Sequence, residues 1–193
     1  MTIIKDIIGR EILDSRGNPT VEVTMILEDG TISVAGVPSG ASTGTFEAHE
    51  LRDGDTRRYE GLGVLQAVGF VNGELRDAVS GIDAASQLSL DTLLKECDGT
   101  PNKSRVGANA LLGISLAAAR ATALCRQIPL YQYIAELMEV PLDVNRFPTP
   151  MFNILNGGKH SDSGLSVQEF KLVPSGIVSY PEQLRAGSEI FHA

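Results

Sequence analysis

Tryptophan is absent from the sequence, and cysteine occurs only at Cys97 and Cys125, without CxxC spacing. This excludes a disulfide scaffold and gives no sign of a structural zinc site, so a reducing cytoplasm is the expected setting. Basic residues are in deficit, with 16 Lys and Arg against 24 Asp and Glu and a formal net charge of -8. A chain of this sign is not expected to bind nucleic acid non-specifically or to be drawn to an anionic membrane, and an anionic substrate would need a locally positive site. Uninterrupted apolar runs are lacking as well. The N-terminal MTIIKDIIGREILDS mixes acidic with apolar residues and has no small-residue cleavage site, so it does not read as a signal peptide. The most apolar stretch, 108–124, is broken by Asn109 and Arg120, and a buried helix is expected there in place of a membrane span. A nucleotide P-loop is excluded, because GxxxxGK followed by Ser or Thr does not occur.

What is present is enough for a core, since 42% of the residues are hydrophobic. Residues 3–13 are isoleucine-rich and read as a strand that ends at the polar turn 14–19. Val21, Val23, Met25 and Leu27 then alternate with Thr20, Glu22 and Thr24, and Glu28-Asp29-Gly30 supplies a turn before a third strand at 31–37. A three-stranded antiparallel meander follows, and one of its faces must be covered by the helical segments downstream. Val64, Leu65, Val68 and Val71 recur at helical spacing up to Asn72-Gly73, and Asp83 is expected to open a helix bearing Leu90, Leu93, Leu94 and Cys97. The alanine-rich segment 107–126 should be the central packing element, and 128–138 a shorter helix. Prolines at 141, 148 and 150 mark a linker, giving domains at 1–140 and 141–193. A last helix is expected from Pro181, with Ser179 as its cap.

Two stretches look suited to chemistry. Residues 39–55, SGASTGTFEAHELRDGD, begin with six small residues. Such a composition reads either as a flexible connection or as a lid whose Ser39, Ser42 and Thr43 hydroxyls suit a hard cation such as Mg²⁺. Residues 156–170, NGGKHSDSGLSVQEF, lie between two short expected strands, 151–155 and 167–173, so that Gly157-Gly158, His160 and Gln168-Glu169 fall at strand ends and line a pocket. Read locally, His160 also fits a surface loop, and Gln168-Glu169 also fits a solvated strand face.

Together, ILDSRGNPTVEVT, SGASTGTFEAHELRDGD, GANALLGISLAAARA, PLYQYIAEL and FPTPMFNILNGGKH with VQEF closely resemble the enolases, the phosphopyruvate hydratases of glycolysis, over residues 1–193. The resemblance implies an N-terminal α+β domain followed by the start of an eight-stranded β/α barrel that opens with two antiparallel strands. It implies the interconversion of 2-phosphoglycerate and phosphoenolpyruvate, with Mg²⁺ stabilising an enolate-type intermediate while a lysine takes the proton. By the same resemblance Ser42 ligates the second Mg²⁺ through its hydroxyl and carbonyl, and His160 closes over the phosphate end of the substrate. Gln168 contacts the substrate, and Glu169 supports the acid catalyst near the leaving hydroxyl. Arg10, Arg16 and Glu22 match positions at or near the interface of the family's homodimer, although their spacing alone reads as ordinary surface charge. The sequence departs from the family at Leu62, where a lysine is usual, and at Ser163, where many bacterial relatives carry asparagine.

A β/α barrel takes about 250 residues, so most of one is expected to be missing. With it go the GDEGG-type loop with the acid glutamate, the three carboxylates for the first Mg²⁺, the lysine base, and the Arg, Ser and Lys that bind substrate. A base and a metal cannot be replaced by orienting residues, and the polypeptide alone is expected to be inactive. Three readings follow: part of an ordinary enolase, one half of a split enolase, or a non-catalytic binding or structural protein built on the N-terminal domain.

Overall fold

The computed structural model describes residues 1–40, 44–143, 146–158 and 164–193. They form two compact units, Met1–Pro141 and Leu142–Ala193.

The first unit is built on an antiparallel sheet of β1 (Ile4–Leu13), β2 (Pro19–Leu27) and β3 (Ile32–Gly36), in that order. Both turns are fixed by aspartates. The Asp14 carboxylate accepts the Arg16 and Asn18 N–H groups at 2.8 and 2.9 Å, and that of Asp29 accepts the Thr31 N–H at 2.9 Å. Register pairs Gly9 with Val23 with Ala35, and Ile7 with Met25 with Ser33. The period-2 pattern therefore sends Val21, Val23, Met25 and Leu27 into the core.

That face is covered by α4 (Ala108–Cys125), whose Ala110, Ile114, Ala117, Ala118 and Ala121 are buried against it. Gly113 lets the helix come close, since a Cβ there would stand 2.6 Å from Val23 Cγ2 and 3.3 Å from Val37 Cγ2. Buried Ser33 donates its hydroxyl to the Ala117 carbonyl at 2.7 Å, joining β3 to the helix. Helix α4 has the length and hydropathy to cross a membrane, yet over half of it is buried inside the unit, as befits a core helix.

The helices that complete this core differ in two places from the periodicity. Asn72-Gly73 kinks the helical run and does not end it: the backbone leaves helical conformation at Gly73, with φ -116° and ψ -108°, and resumes it beyond. Helix α1 (Leu65–Phe70) runs through a wide turn (Val71–Leu75) into α2 (Arg76–Val79). The reason lies in β1, whose outer edge would otherwise be unpaired: Asn72 Oδ1 accepts the Gly9 N–H at 2.7 Å, and its Nδ2 donates to the Gly9 carbonyl at 3.0 Å. Asp83 does not open a helix either. Its carboxylate accepts the Thr2 hydroxyl at 2.6 Å and the Ala85 N–H at 3.0 Å, and α3 (Gln87–Asp98) begins only after that turn, with Leu90 and Leu94 buried. The short α5 (Leu130–Leu137) buries Tyr133.

The second unit contains an antiparallel pair, β4 (Phe152–Asn156) with β5 (Glu169–Leu172), and helix α6 (Tyr180–Phe191). Ser179 occupies the N-cap position of α6, but its side chain makes no capping bond, and Pro181 lies in the first turn. Helix and strand meet where the Phe152 ring lies over Gly187. Among the described residues of this unit no large apolar side chain is buried, and Met151 and Phe191 are 65% and 57% exposed. The strands are not closed into a barrel.

Candidate functional site

The two stretches singled out by the sequence fall in different units. In the first unit, the small-residue loop leaves the sheet after β3 and returns to the N-terminus of α4. Its returning end is fastened by α4: Asn109, 2% exposed, accepts the Leu51 N–H at 3.2 Å and donates to the Leu51 carbonyl at 3.1 Å. The His49 N–H reaches the Asn102 carbonyl at 2.7 Å, and the Ala108 N–H reaches the His49 carbonyl at 2.8 Å.

Its departing end is held by charge. Arg16 Nη2 donates to the Ser39 carbonyl at 2.9 Å and to the Asp14 carboxylate at 3.3 Å. Arg52 Nη2 donates to Ser39 Oγ at 3.2 Å and to Glu50 at 2.6 Å, and Ser39 Oγ donates to the other Glu50 oxygen at 3.3 Å. The Ser39 hydroxyl, expected as a cation ligand, is thus committed to an ion pair. Ser42, with Thr43, lies outside the described residues. Beside these ends lies a polar cavity of about 570 Å³, lined among others by Arg16, Asn18, Ser39, His49, Arg52 and Asn102. Its lining carries two guanidinium groups and the carboxylates of Glu47 and Glu50, with Arg16 paired to Asp14 and Arg52 to Glu50, so the charges are balanced there.

In the second unit the Gly-Gly turn forms as its residues require. The Gly157 N–H donates to the Gln168 carbonyl at 2.9 Å and the Gly158 N–H to the Leu165 carbonyl at 2.8 Å. A Cβ on Gly157 would lie 2.8 Å from that same Leu165 oxygen, and Gly158 has a φ of 59°. Gln168 and Glu169 therefore stand opposite the glycine turn at the start of β5, and the Glu169 carboxylate pairs with Lys171 at 2.8 Å on the same strand face. His160 lies outside the described residues.

Arg10 and Glu22, aligned with family interface positions, pair with each other across β1 and β2 at 2.6 Å. Among the described residues no three His, Cys, Asp or Glu side chains come together as a metal cluster. On the departing side of the loop the Ser39 carbonyl and hydroxyl and the Gly40 carbonyl are engaged by arginines, so the described donor set does not make a Mg²⁺ site by itself. Sequence reasoning missed Glu50, Arg52 and Asn109 as the residues that organise the loop. The available signals were the HELRD charges a few residues beyond the small-residue stretch, and a lone asparagine in an apolar helix.

The sequence matches the enolase N-terminal domain over residues 4–134 and the enolase C-terminal TIM barrel domain over residues 144–193. The first match covers the sheet and its helices, and the second takes in the glycine turn with Gln168 and Glu169. The chain belongs to the enolase family.

Proposed function

We propose that this chain supplies the N-terminal domain and the opening of the barrel of a cytoplasmic enzyme that interconverts 2-phosphoglycerate and phosphoenolpyruvate. The observation that carries the reading is the ordered match of both enolase domains along one chain. In this reading Ser42 would contribute oxygen ligands to a Mg²⁺ ion, whose positive charge would offset the negative charge that develops on the substrate. His160 and Gln168 hold the substrate, and Glu169 orients the acid that protonates the leaving hydroxyl. The lysine base and the remaining metal carboxylates belong to barrel strands beyond those matched here, so the chain by itself gives no turnover. Assembly as a homodimer through the Arg10, Arg16 and Glu22 region belongs to the same reading.

A chimera tests it. Residues 1–193 replace the corresponding part of a full-length enolase, and phosphoenolpyruvate formation is followed. Turnover is expected, and Glu169→Gln should lower kcat by about 10²–10⁴-fold, the usual contribution of proton-transfer machinery. Wild-type rates in the Glu169→Gln chimera would contradict the role given to Glu169, and a folded but inactive parent chimera would contradict the enolase reading.

A further inference from the structure

We propose that the cleft between α3 and α4 is a binding site for a small amphipathic anion, a molecule with one carboxylate head and a short apolar tail. The cleft has a volume of about 370 Å³ and lies wholly within the first unit. Its floor is apolar: Leu94 and Leu111 are 2% and 5% exposed, and Ala108 and Leu112 flank them. Leu112 is 39% exposed although it belongs to the central core helix, so an apolar side chain is left open to a ligand.

The polar groups of the lining are sorted along the cleft. Asp91 and Ser115 mark the end where Gln87 Nε2 joins the two helices, donating to Asp91 at 3.1 Å and to the Ser115 hydroxyl and carbonyl at 3.0 and 3.2 Å. Those acceptors are engaged by the fold itself. Lys95 follows one turn further along α3, and Lys103 lies in the connection to α4. Among the described residues neither ammonium makes an ion pair or a hydrogen bond. Lys103 also holds a φ of 60°, a left-handed conformation in which glycine or asparagine is the less strained choice, and the fold gains no side-chain bond from the lysine in return. Two ammonium groups against one aspartate give the lining a positive sign within a chain of net charge -8. Charge complementarity then selects the ligand. Its tail leaves water against Leu94, Leu111 and Leu112, and its head accepts N–H bonds from Lys95 and Lys103. A sugar phosphate lacks the tail, and a neutral hydrocarbon lacks the head. The inference is independent of the enolase reading.

The test is a titration of the isotope-labelled 193-residue chain with sodium octanoate, below the concentration at which it forms micelles, followed by backbone amide shifts. Saturable shifts are expected at Leu94, Lys103 and Leu112, with a Kd on the order of 1 mM for a ligand of this size. Octanamide keeps the tail without the charge, and acetate the charge without the tail; each should bind at least about tenfold more weakly. 2-Phosphoglycerate should not displace octanoate. Lys95→Met combined with Lys103→Met should weaken octanoate about tenfold and leave octanamide unchanged, a selectivity that general loosening of the fold does not produce. Lys95→Met alone, at an exposed position, should weaken octanoate about threefold, and Leu112→Ser should weaken both ligands. No saturable shift at these amides, equal affinity for octanoate and octanamide, undiminished affinity in the lysine variants, or shifts confined to residues 142–193 would overturn the proposal.

Discussion

Replacing Asp98 by alanine should destabilise the first unit by about 3–4 kcal/mol, which for a unit of this size lowers the melting temperature by roughly 10 °C. Asp98 is 2% exposed at the C-terminus of α3. Its carboxylate accepts the N–H groups of Thr100, Arg105 and Val106 at 2.9, 3.1 and 2.8 Å, together with the Thr100 hydroxyl. These bonds shape the connection from α3 to Gly107 and α4, so the loss leaves shielded donors without an acceptor and loosens the approach to the central helix. Burial pushes this carboxyl upward, but the hydrogen bonds from Thr100, Val106 and Arg105 outweigh it and hold the group below its ordinary 3.8. The sign of the pH effect follows. The contribution is fully present above the ordinary value and disappears as pH falls through the lowered folded-state value. Glu11 acts in the same direction: hydrogen bonds from Arg58, reduced by burial and helped by the Val64 N–H, hold it below its ordinary 4.5. Urea midpoints at about pH 7 and about pH 3 check this. Asp98→Asn should be less stable than wild type at neutral pH and should lose less stability on acidification. Equal pH dependence in the two proteins would contradict the role given to the carboxylate.

Amides of β1, β2 and α4 should exchange at least a thousandfold more slowly than those of β4, β5 and α6, a difference on the order of the whole stability of a folded domain. The first unit has a continuous core in which Ile7, Met25, Leu75, Leu90 and Ile114 are all 0–1% exposed. The second has none among its described residues, and Phe170, Val173, Ile190 and Val178 range from 44% to 100% exposed. A two-stranded pair is marginal in water without further strands or helices to bury its faces, and apolar surface of this extent promotes association. Residues 1–141 expressed alone should therefore keep the cooperative melting transition and be more soluble than the full chain. Equal protection of both units, or failure of 1–141 to fold, would contradict this division of stability.

Much of this organisation was legible in the sequence because it depends on local pattern. Alternation of Val21, Val23, Met25 and Leu27 specified the inward face of β2, and the alanine-rich periodicity of α4 marked the helix that covers it. The glycine turn at 157–158 and its pairing with the start of β5 were legible because the residues that form them lie close together in the chain. What could not be read depends on partners distant in sequence. Asn72 followed by glycine has the composition of a helix stop, yet its amide completes the edge of β1 through Gly9, 63 residues away. Asp83 resembles a helix cap, but Thr2 draws it into a different turn. Arg52 looks like one charge among several until Pro19, Ser39 and Leu62 are brought around it. Ser42 and His160, both identified by resemblance, lie outside the described residues.

The most direct measurement is phosphoenolpyruvate formation from 2-phosphoglycerate with Mg²⁺, run in parallel on the purified 193-residue chain and on the chimera that completes its barrel. The account predicts no turnover by the chain alone and clear turnover by the chimera. Turnover by the chain alone, surviving rigorous removal of host enolase, would contradict the claim that its base and principal metal ligands must come from strands it does not contain.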